Sequence, residues 1–145
     1  MKMFGRLNVT WVLACLVTAF PTSVGFGDDE IEIRYGRDIR PLLSDRCFLC
    51  HGPDRDHRMA DLRLDAFEFS TEVRDGQAAI VPGNPEDSLL WQRITTENPR
   101  RKMPPADSGK HALKPEELER IRRWIESGAE YEPHWSFSEL ARPTP

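Results

Sequence analysis

Two cysteines and a histidine lie within five consecutive residues, Cys47-Phe48-Leu49-Cys50-His51. This C-x-x-C-H spacing is the attachment signature of a c-type haem. Two thiols at this spacing can each bond one vinyl group of the same porphyrin, and the imidazole that follows is then held beneath the iron. The motif therefore predicts Cys47 and Cys50 as the covalent attachment points of one haem c, and His51 as the proximal iron ligand.

Three other roles of a cysteine pair fit this sequence less well. A structural zinc site needs a fourth ligand and usually a second paired motif, and the sequence contains no such motif. A thioredoxin-like redox pair belongs to a βαβ context, which the chain does not show. A plain structural disulfide would leave His51 without a role.

A second axial ligand is expected from later in the chain, and five residues are candidates: Met59, Met103, His57, His111 and His134. Met103 is followed by two prolines, which restrict the backbone and can hold a thioether in place without regular secondary structure. Met59 follows His51 so closely that the chain would have to turn sharply around the porphyrin edge. We therefore predict Met103 as the distal ligand. A His/Met pair raises the reduction potential and suits an electron carrier.

The composition indicates one modest globular domain. The chain has 145 residues, of which 39% are hydrophobic and 30% are charged. Lys and Arg number 20 against 24 Asp and Glu, a balance that argues against nucleic-acid binding. Twelve Pro and nine Gly predict a loop-rich domain whose core is completed by a non-protein group.

Residues 1–27 have the layout of a secretory signal peptide. Lys2 and Arg6 precede an apolar run over residues 9–20, and small residues follow. The run is short for a bilayer span, and an uncleaved anchor or a lipoprotein modified at Cys15 is the weaker alternative. We expect an exported protein of the periplasm or cell-envelope space, with no stable membrane span after cleavage.

The rest of the chain is predicted as an acidic lead-in over 28–36, a domain over 37–130 and a Pro-rich tail over 131–145. Three helices are expected, and the turn residues and periodicity place them at 37–48, 85–95 and 115–127. Asp38 and Asn84 are the predicted N-caps of the first two helices. Residues 62–65 are expected to be extended but too short for a sheet, 66–80 irregular or weakly helical, and 97–113 a loop around Met103.

Several segments, taken in order, resemble the Planctomycete-type cytochrome c domain. They are residues 38–52 (DIRPLLSDRCFLCHG), 62–65 (LRLD), 81–88 (VPGNPEDS), 102–105 (KMPP), 123–129 (RWIESGA) and 134–137 (HWSF). The resemblance implies a mainly α, class I-like cytochrome c fold, with Cys47 and Cys50 as haem attachments, His51 as the proximal ligand and Met103 as the distal one. Family members usually carry this domain at the N-terminus of larger exported proteins, so a stand-alone carrier and a split or truncated protein both remain open.

The expected function is electron transfer by Fe(II)/Fe(III) cycling in an exported mono-haem protein, with an unidentified redox partner. No independent catalytic constellation is found in the sequence, so an enzyme is not expected. A haem enzyme or sensor with an open sixth position, and a haem-containing docking module split from a larger protein, are the alternatives. Five basic residues are candidate partners of the haem propionates: Arg55, Arg58, Arg100, Arg101 and Lys102.

Overall fold

The computed structural model describes residues 32–132 of the chain. The chain divides into two units, Met1–Glu30 and Ile31–Pro145, and every described residue belongs to the second unit. The predicted signal peptide, His134 and most of the predicted tail lie outside the described residues. Within residues 32–132, no helix is both long enough and apolar enough to cross a membrane.

The regular secondary structure of the described residues is mainly helical, as predicted. A π-helical turn, Tyr35–Ile39, leads into five α-helices: α1 (Arg40–Arg46), α2 (Phe48–His51), α3 (Phe67–Ser70), α4 (Leu89–Thr95) and α5 (Pro115–Glu126). Two short antiparallel strands, β1 (Val73–Arg74) and β2 (Gln77–Ala78), pair with Val73 opposite Ala78. The architecture is therefore a small helical domain with long connecting segments.

The first predicted helix differs from the structure in its start and its continuity. Helical structure begins at Tyr35, and the segment predicted as one helix over 37–48 is a π-helical turn followed by α1 and α2. Asp38 is not an N-cap, because its carboxylate accepts a hydrogen bond from the preceding Arg34 N–H at 2.9 Å and pairs with the Arg37 side chain. Pro41 lies in the first turn of α1, where its missing N–H interrupts no intrahelical bond.

The segment predicted as irregular or weakly helical, 66–80, contains the short helix α3, in agreement with the prediction, and a hairpin that was not predicted. Residues 62–64 belong to no helix or strand, so they build no sheet, as expected. The hairpin turns at Asp75 and Gly76, whose φ angles of 50° and 81° are both positive. Asp-Gly is a strong signal for a tight hairpin turn with two left-handed residues, so the sequence contained this information.

Helix α4 begins at Leu89, four positions later than predicted, and Asn84 is not its N-cap. The Asn84 side chain instead accepts a hydrogen bond from the Asp87 N–H at 3.3 Å within the preceding turn. The buried Ser88 hydroxyl stabilises this turn, since it donates to the Asn84 carbonyl at 2.8 Å and accepts from the Val81 N–H at 2.9 Å. These bonds hold residues 84–88 out of the helix.

Helix α5 agrees with the prediction at both ends. The Glu117 carboxylate accepts a hydrogen bond from the Lys114 N–H at 2.7 Å and so caps the first turn. At the other end Gly128 has a φ of 107°, and the N–H groups of Gly128 and Ala129 donate to the carbonyls of Ile125 and Trp124. This is a Schellman ending, which requires a residue in the left-handed conformation at the position of Gly128.

The core lies between the π-helical turn, α1, α4 and α5. Its fully buried side chains are chiefly aliphatic, with one large aromatic residue: Ile39, Leu43, Leu64, Ile80, Ile121, Ile125 and Trp124. Tyr131, predicted to begin the tail, packs with its ring centroid 4.4 Å from that of Tyr35, and its hydroxyl donates to the Leu64 carbonyl at 3.2 Å. The packed core therefore reaches beyond residue 130.

Candidate functional site

The C-x-x-C-H segment bridges the end of α1 and the whole of α2. The Cys47 N–H donates to the Leu43 carbonyl at 2.8 Å, and the Cys47 carbonyl accepts from the N–H groups of Cys50 (3.1 Å) and His51 (2.8 Å). These bonds are local to the segment, so the helical turn itself fixes the two sulfurs relative to the imidazole. Both cysteines are free thiols.

Gly52 ends this helical segment by a close backbone approach. A Cβ atom at Gly52 would lie 2.2 Å from the Phe48 carbonyl oxygen and 3.1 Å from the Phe48 carbonyl carbon. Only a residue without a side chain fits there, because the obstructing atoms belong to the backbone and cannot rotate away. Gly52 therefore allows the chain to leave α2 directly after His51.

The segment that follows returns to the motif and is held against it. The Met59 N–H donates to the Cys50 carbonyl at 2.7 Å, and the Leu64 N–H donates to the His51 carbonyl at 2.8 Å. The Arg58 guanidinium donates to the carbonyls of Gly52 (3.1 Å) and Pro53 (2.7 Å). Four hydrogen bonds thus secure the backbone on both sides of His51.

Met103 lies in the predicted loop, which has no regular structure in the described chain. Its N–H donates to the Arg93 carbonyl at 2.9 Å, and this bond ties it to helix α4. Asn98 organises the preceding turn, where its carbonyl accepts from the Lys102 N–H at 2.9 Å. The Arg46 guanidinium, at the end of α1, donates to the His111 carbonyl at 2.8 Å and so anchors the far side of the loop.

Cys47, Cys50, His51 and Met103 all line one apolar cavity. The empty volume is about 950 Å³, part of which is open to solvent. Aliphatic side chains from the core and from the returning segment complete the lining: Leu49, Leu62, Leu64, Leu89, Leu90 and Ile94. A cavity of this size and character is typical of a cofactor site.

The other candidates for a second axial ligand do not line this cavity. The Met59 side chain is 61% exposed, and His111 is also exposed. The His57 ring lies on the surface, with Nδ1 2.9 Å from the Asp54 carboxylate. Of the candidate residues within the described chain, Met103 alone lines the cavity that the motif also lines.

Burial controls the protonation of the donor groups. Desolvation raises the pKa of the Cys47 thiol to about 12, and the neighbouring Arg46 charge offsets only part of this effect. Desolvation also lowers the pKa of His51, with a smaller opposing effect from the Met59 backbone. The imidazole is therefore held neutral, which is the form that binds a metal.

Three cationic side chains also line the cavity: Arg46, Arg93 and Lys110. None of the five basic residues predicted to pair with haem propionates is among the lining residues. Arg46 adjoins Cys47 in sequence, so its proximity could have been inferred, whereas Arg93 and Lys110 are brought to the cavity by α4 and the Met103 loop. Residues 32–132 contain no cluster of three or more His, Cys, Asp or Glu side chains suited to a metal ion.

The donor set fits an iron porphyrin. Two thiols, a neutral imidazole and a thioether surround an apolar space, and cations stand among its lining residues. These are the attachment and axial groups that c-type cytochromes use. The helical fold and the donor set are thus compatible with a cytochrome c-like domain.

Residues 47–107 match the family model described as Planctomycete cytochrome C. The matched segment contains Cys47, Cys50, His51 and Met103, and the family resemblance inferred from the sequence is confirmed. Residues 47–107 are therefore similar to the Planctomycete cytochrome C domain. No curated protein and no solved structure gives a significant match to this chain.

Proposed function

We propose that this chain is an exported mono-haem c-type cytochrome that transfers electrons, with a class I-like fold and His51 and Met103 as axial ligands. The observation that carries the proposal is the convergence of Cys47, Cys50, His51 and Met103 on a single apolar cavity. These residues come from two segments more than fifty positions apart. Membership of residues 47–107 in a cytochrome c family supports haem binding and electron transfer in the same segment.

The bound iron porphyrin supplies one-electron chemistry, and the residues of the chain set the conditions for it. Cys47 and Cys50 would form the two thioethers, while backbone hydrogen bonds on both sides of His51 hold the main chain that carries its imidazole. The aliphatic lining excludes water, and a dry, apolar environment raises the reduction potential of the iron because it disfavours the extra positive charge of the ferric state. Arg46, Arg93 and Lys110 line the cavity and would balance the propionate charges.

The partner we propose is a redox protein with a basic docking face. Acidic residues outnumber basic ones in the chain, 24 against 20. Association with a basic partner would therefore be steered by charge and weakened by salt. Attachment of haem through two thioethers also suits a protein exported from the cytoplasm. Outside the cytoplasm, loss of a cofactor that can diffuse away would be permanent.

The decisive experiment is expression in a host that carries a c-type cytochrome maturation system. The purified protein should be red, should keep its haem in acidified acetone, and should give the pyridine haemochrome spectrum of two thioether bonds. Cys50→Ala should lower haem retention sharply, and Met59→Ala, at an exposed position, should leave it unchanged. Colourless protein, or release of all pigment into acidified acetone, would contradict the proposal.

The axial ligand is tested separately by Met103→Ala. This variant should keep covalent haem but lose the weak far-red absorption band of a Met–iron bond, and its reduction potential should fall. Met59→Ala is again the matched control, since it removes a thioether that lies outside the cavity. An unchanged spectrum in Met103→Ala would eliminate Met103, and a high-spin spectrum in the wild-type ferric protein would indicate an open sixth position.

A further inference from the structure

A second groove lies outside the apolar cavity and has the opposite character. Four arginines line it, Arg55, Arg58, Arg63 and Arg74, together with one acidic residue, Asp61. Its empty volume is about 1060 Å³, part of which is open solvent, and none of its lining residues lines the apolar cavity. A chain with a formal net charge of −4 thus brings four cations to one groove, where Asp61 is the one acidic lining residue of the described chain and Asp65 and Glu72 pair with Arg63 and Arg74.

Three of the four guanidinium groups are held in place by neighbouring atoms. Arg58 donates to two backbone carbonyls, and its side chain is only 12% exposed. Arg63 binds Asp65 through two hydrogen bonds, of 2.9 and 2.7 Å, and lies 4.2 Å from the centroid of the Phe69 ring. Arg74 binds Glu72 at 2.7 Å and also donates to the Asp61 carbonyl.

Fixed guanidinium groups lose little conformational entropy when they bind a ligand. Each of these arginines uses only part of its donor set, since a guanidinium has five N–H groups. Arg55 is exposed and makes no hydrogen bond or ion pair within residues 32–132. The groove therefore combines positioned cations with one whose donors are fully available.

Asp61 occupies this groove loosely. Its carboxylate oxygens lie 3.5 Å from Arg58 and 3.9 Å from Arg74, and its side chain is 85% exposed. Charge-assisted hydrogen bonds of this kind are normally about 2.7–2.9 Å long, so Asp61 forms a close ion pair with neither arginine. An incoming anion with several oxygens could bridge the same cations at shorter distances.

We propose that this groove binds a phosphate- or sulfate-type oxyanion, with Arg55, Arg58 and Arg74 as donors and Asp61 as an internal competitor. The planar fork of a guanidinium matches two oxygens of such an anion at once. Part of the groove is open solvent, so a larger molecule that carries the anion as an ester can extend outward from it, and the free ion can bind alone.

The proposal is tested by isothermal titration of the haem-loaded protein in 0.15 M NaCl, with inorganic phosphate in one series and glycerol 1-phosphate in another. Saturable binding to one site is expected in at least one series. Arg55→Gln should weaken it roughly tenfold, the loss expected for one charge-assisted hydrogen bond. Arg100→Gln removes the same charge from an exposed position outside the groove and should leave binding unchanged.

Asp61→Asn should change the binding affinity in the opposite direction and completes the test. It removes the competing charge, and binding should become tighter by roughly threefold to tenfold. Asn tolerates the left-handed backbone that Asp61 adopts, with a φ of 48°, so the turn is retained. Tighter binding of glycerol 1-phosphate than of phosphate would identify an esterified ligand, and equal binding a free ion. Absence of binding in both series, or equal losses in Arg55→Gln and Arg100→Gln, would overturn the proposal.

Discussion

The two walls of the apolar cavity are built in different ways. Cys47, Cys50 and His51 are held by hydrogen bonds within a short stretch of chain, from Leu43 to Leu64. Met103 belongs to a segment without regular structure, and its position depends on α4 through the bond to Arg93 and on α1 through Arg46. The wall with Cys47, Cys50 and His51, the motif wall, is thus a local structure. The wall with Met103, the Met103 wall, exists only because distant elements pack together.

This difference has a consequence for how each wall fails. A change beside the motif should displace the imidazole while the rest of the fold is retained. A change in the core beneath both walls should lower global stability, because Cys47 and Met103 both pack against that core. Substitutions in the loop should act on the thioether alone.

The largest effect is expected for Trp124→Ala, which removes support from both walls. Trp124 is 1% exposed and packs 5.7 and 5.2 Å, by ring centroids, from Tyr35 and Tyr131. The free energy of unfolding should fall by about 3–5 kcal/mol, as measured by guanidinium denaturation of the haem-loaded protein. Trp91→Ala, at a half-buried position, is the matched control and should cost clearly less. Equal losses would show that Trp124 is not a central core residue.

Gly52→Ala is expected to distort the motif wall. The added methyl group would meet the Phe48 carbonyl at 2.2 Å, so the backbone after His51 must shift. A loss of about 1–3 kcal/mol in unfolding free energy, with an altered visible spectrum, is expected. Gly36→Ala is the control, because its methyl group would meet only the flexible end of the Glu132 side chain. A spectrum identical to that of the wild type would show that Gly52 has no influence on the orientation of His51.

Arg46→Met tests how the Met103 wall is anchored. The Arg46 side chain is 13% exposed, and Met keeps much of its length while removing the bond to the His111 carbonyl and the ion pairs with Asp45 and Glu117. We expect a loss of about 1–2 kcal/mol and a weaker far-red band, since the loop that carries Met103 gains freedom. Arg122→Met, which removes only exposed ion pairs on α5, should change neither quantity. A normal band in Arg46→Met would show that Arg93 alone positions the loop.

The smallest effect concerns the Arg63–Asp65 pair, whose two residues flank Leu64 on the motif wall. The hydrogen bonds from Arg63 hold the pKa of Asp65 below its usual value. The pair therefore stabilises the fold above the ordinary Asp pKa of about 4, and this contribution is lost as the pH falls through the lowered pKa. Asp65→Asn should cost up to about 1 kcal/mol at pH 7 and nothing at the acid end of a series of denaturation curves. A loss independent of pH would assign the effect to packing.

Much of the fold could be predicted because its signals are local. Helix α5 follows from a Pro at its start, an apolar period and a Gly at its end, and the structure has all three. The predicted start of α4 was wrong because the Ser88 hydroxyl forms hydrogen bonds with the backbone of Val81 and Asn84. The spacing of apolar residues does not reveal such bonds. The hairpin was missed although Asp75-Gly76 is a recognised turn signal.

The sequence by itself determined the motif wall, since Cys47, Cys50 and His51 are neighbours in the chain and one helical turn fixes their spacing. Only the tertiary structure decided that Met103, rather than Met59, faces them, and that Arg93 and Lys110 line the same cavity. It also decided that four arginines meet in one groove. The physical reason is that a local turn costs little entropy to close, whereas distant segments meet only where the burial of apolar side chains offsets the cost of ordering them.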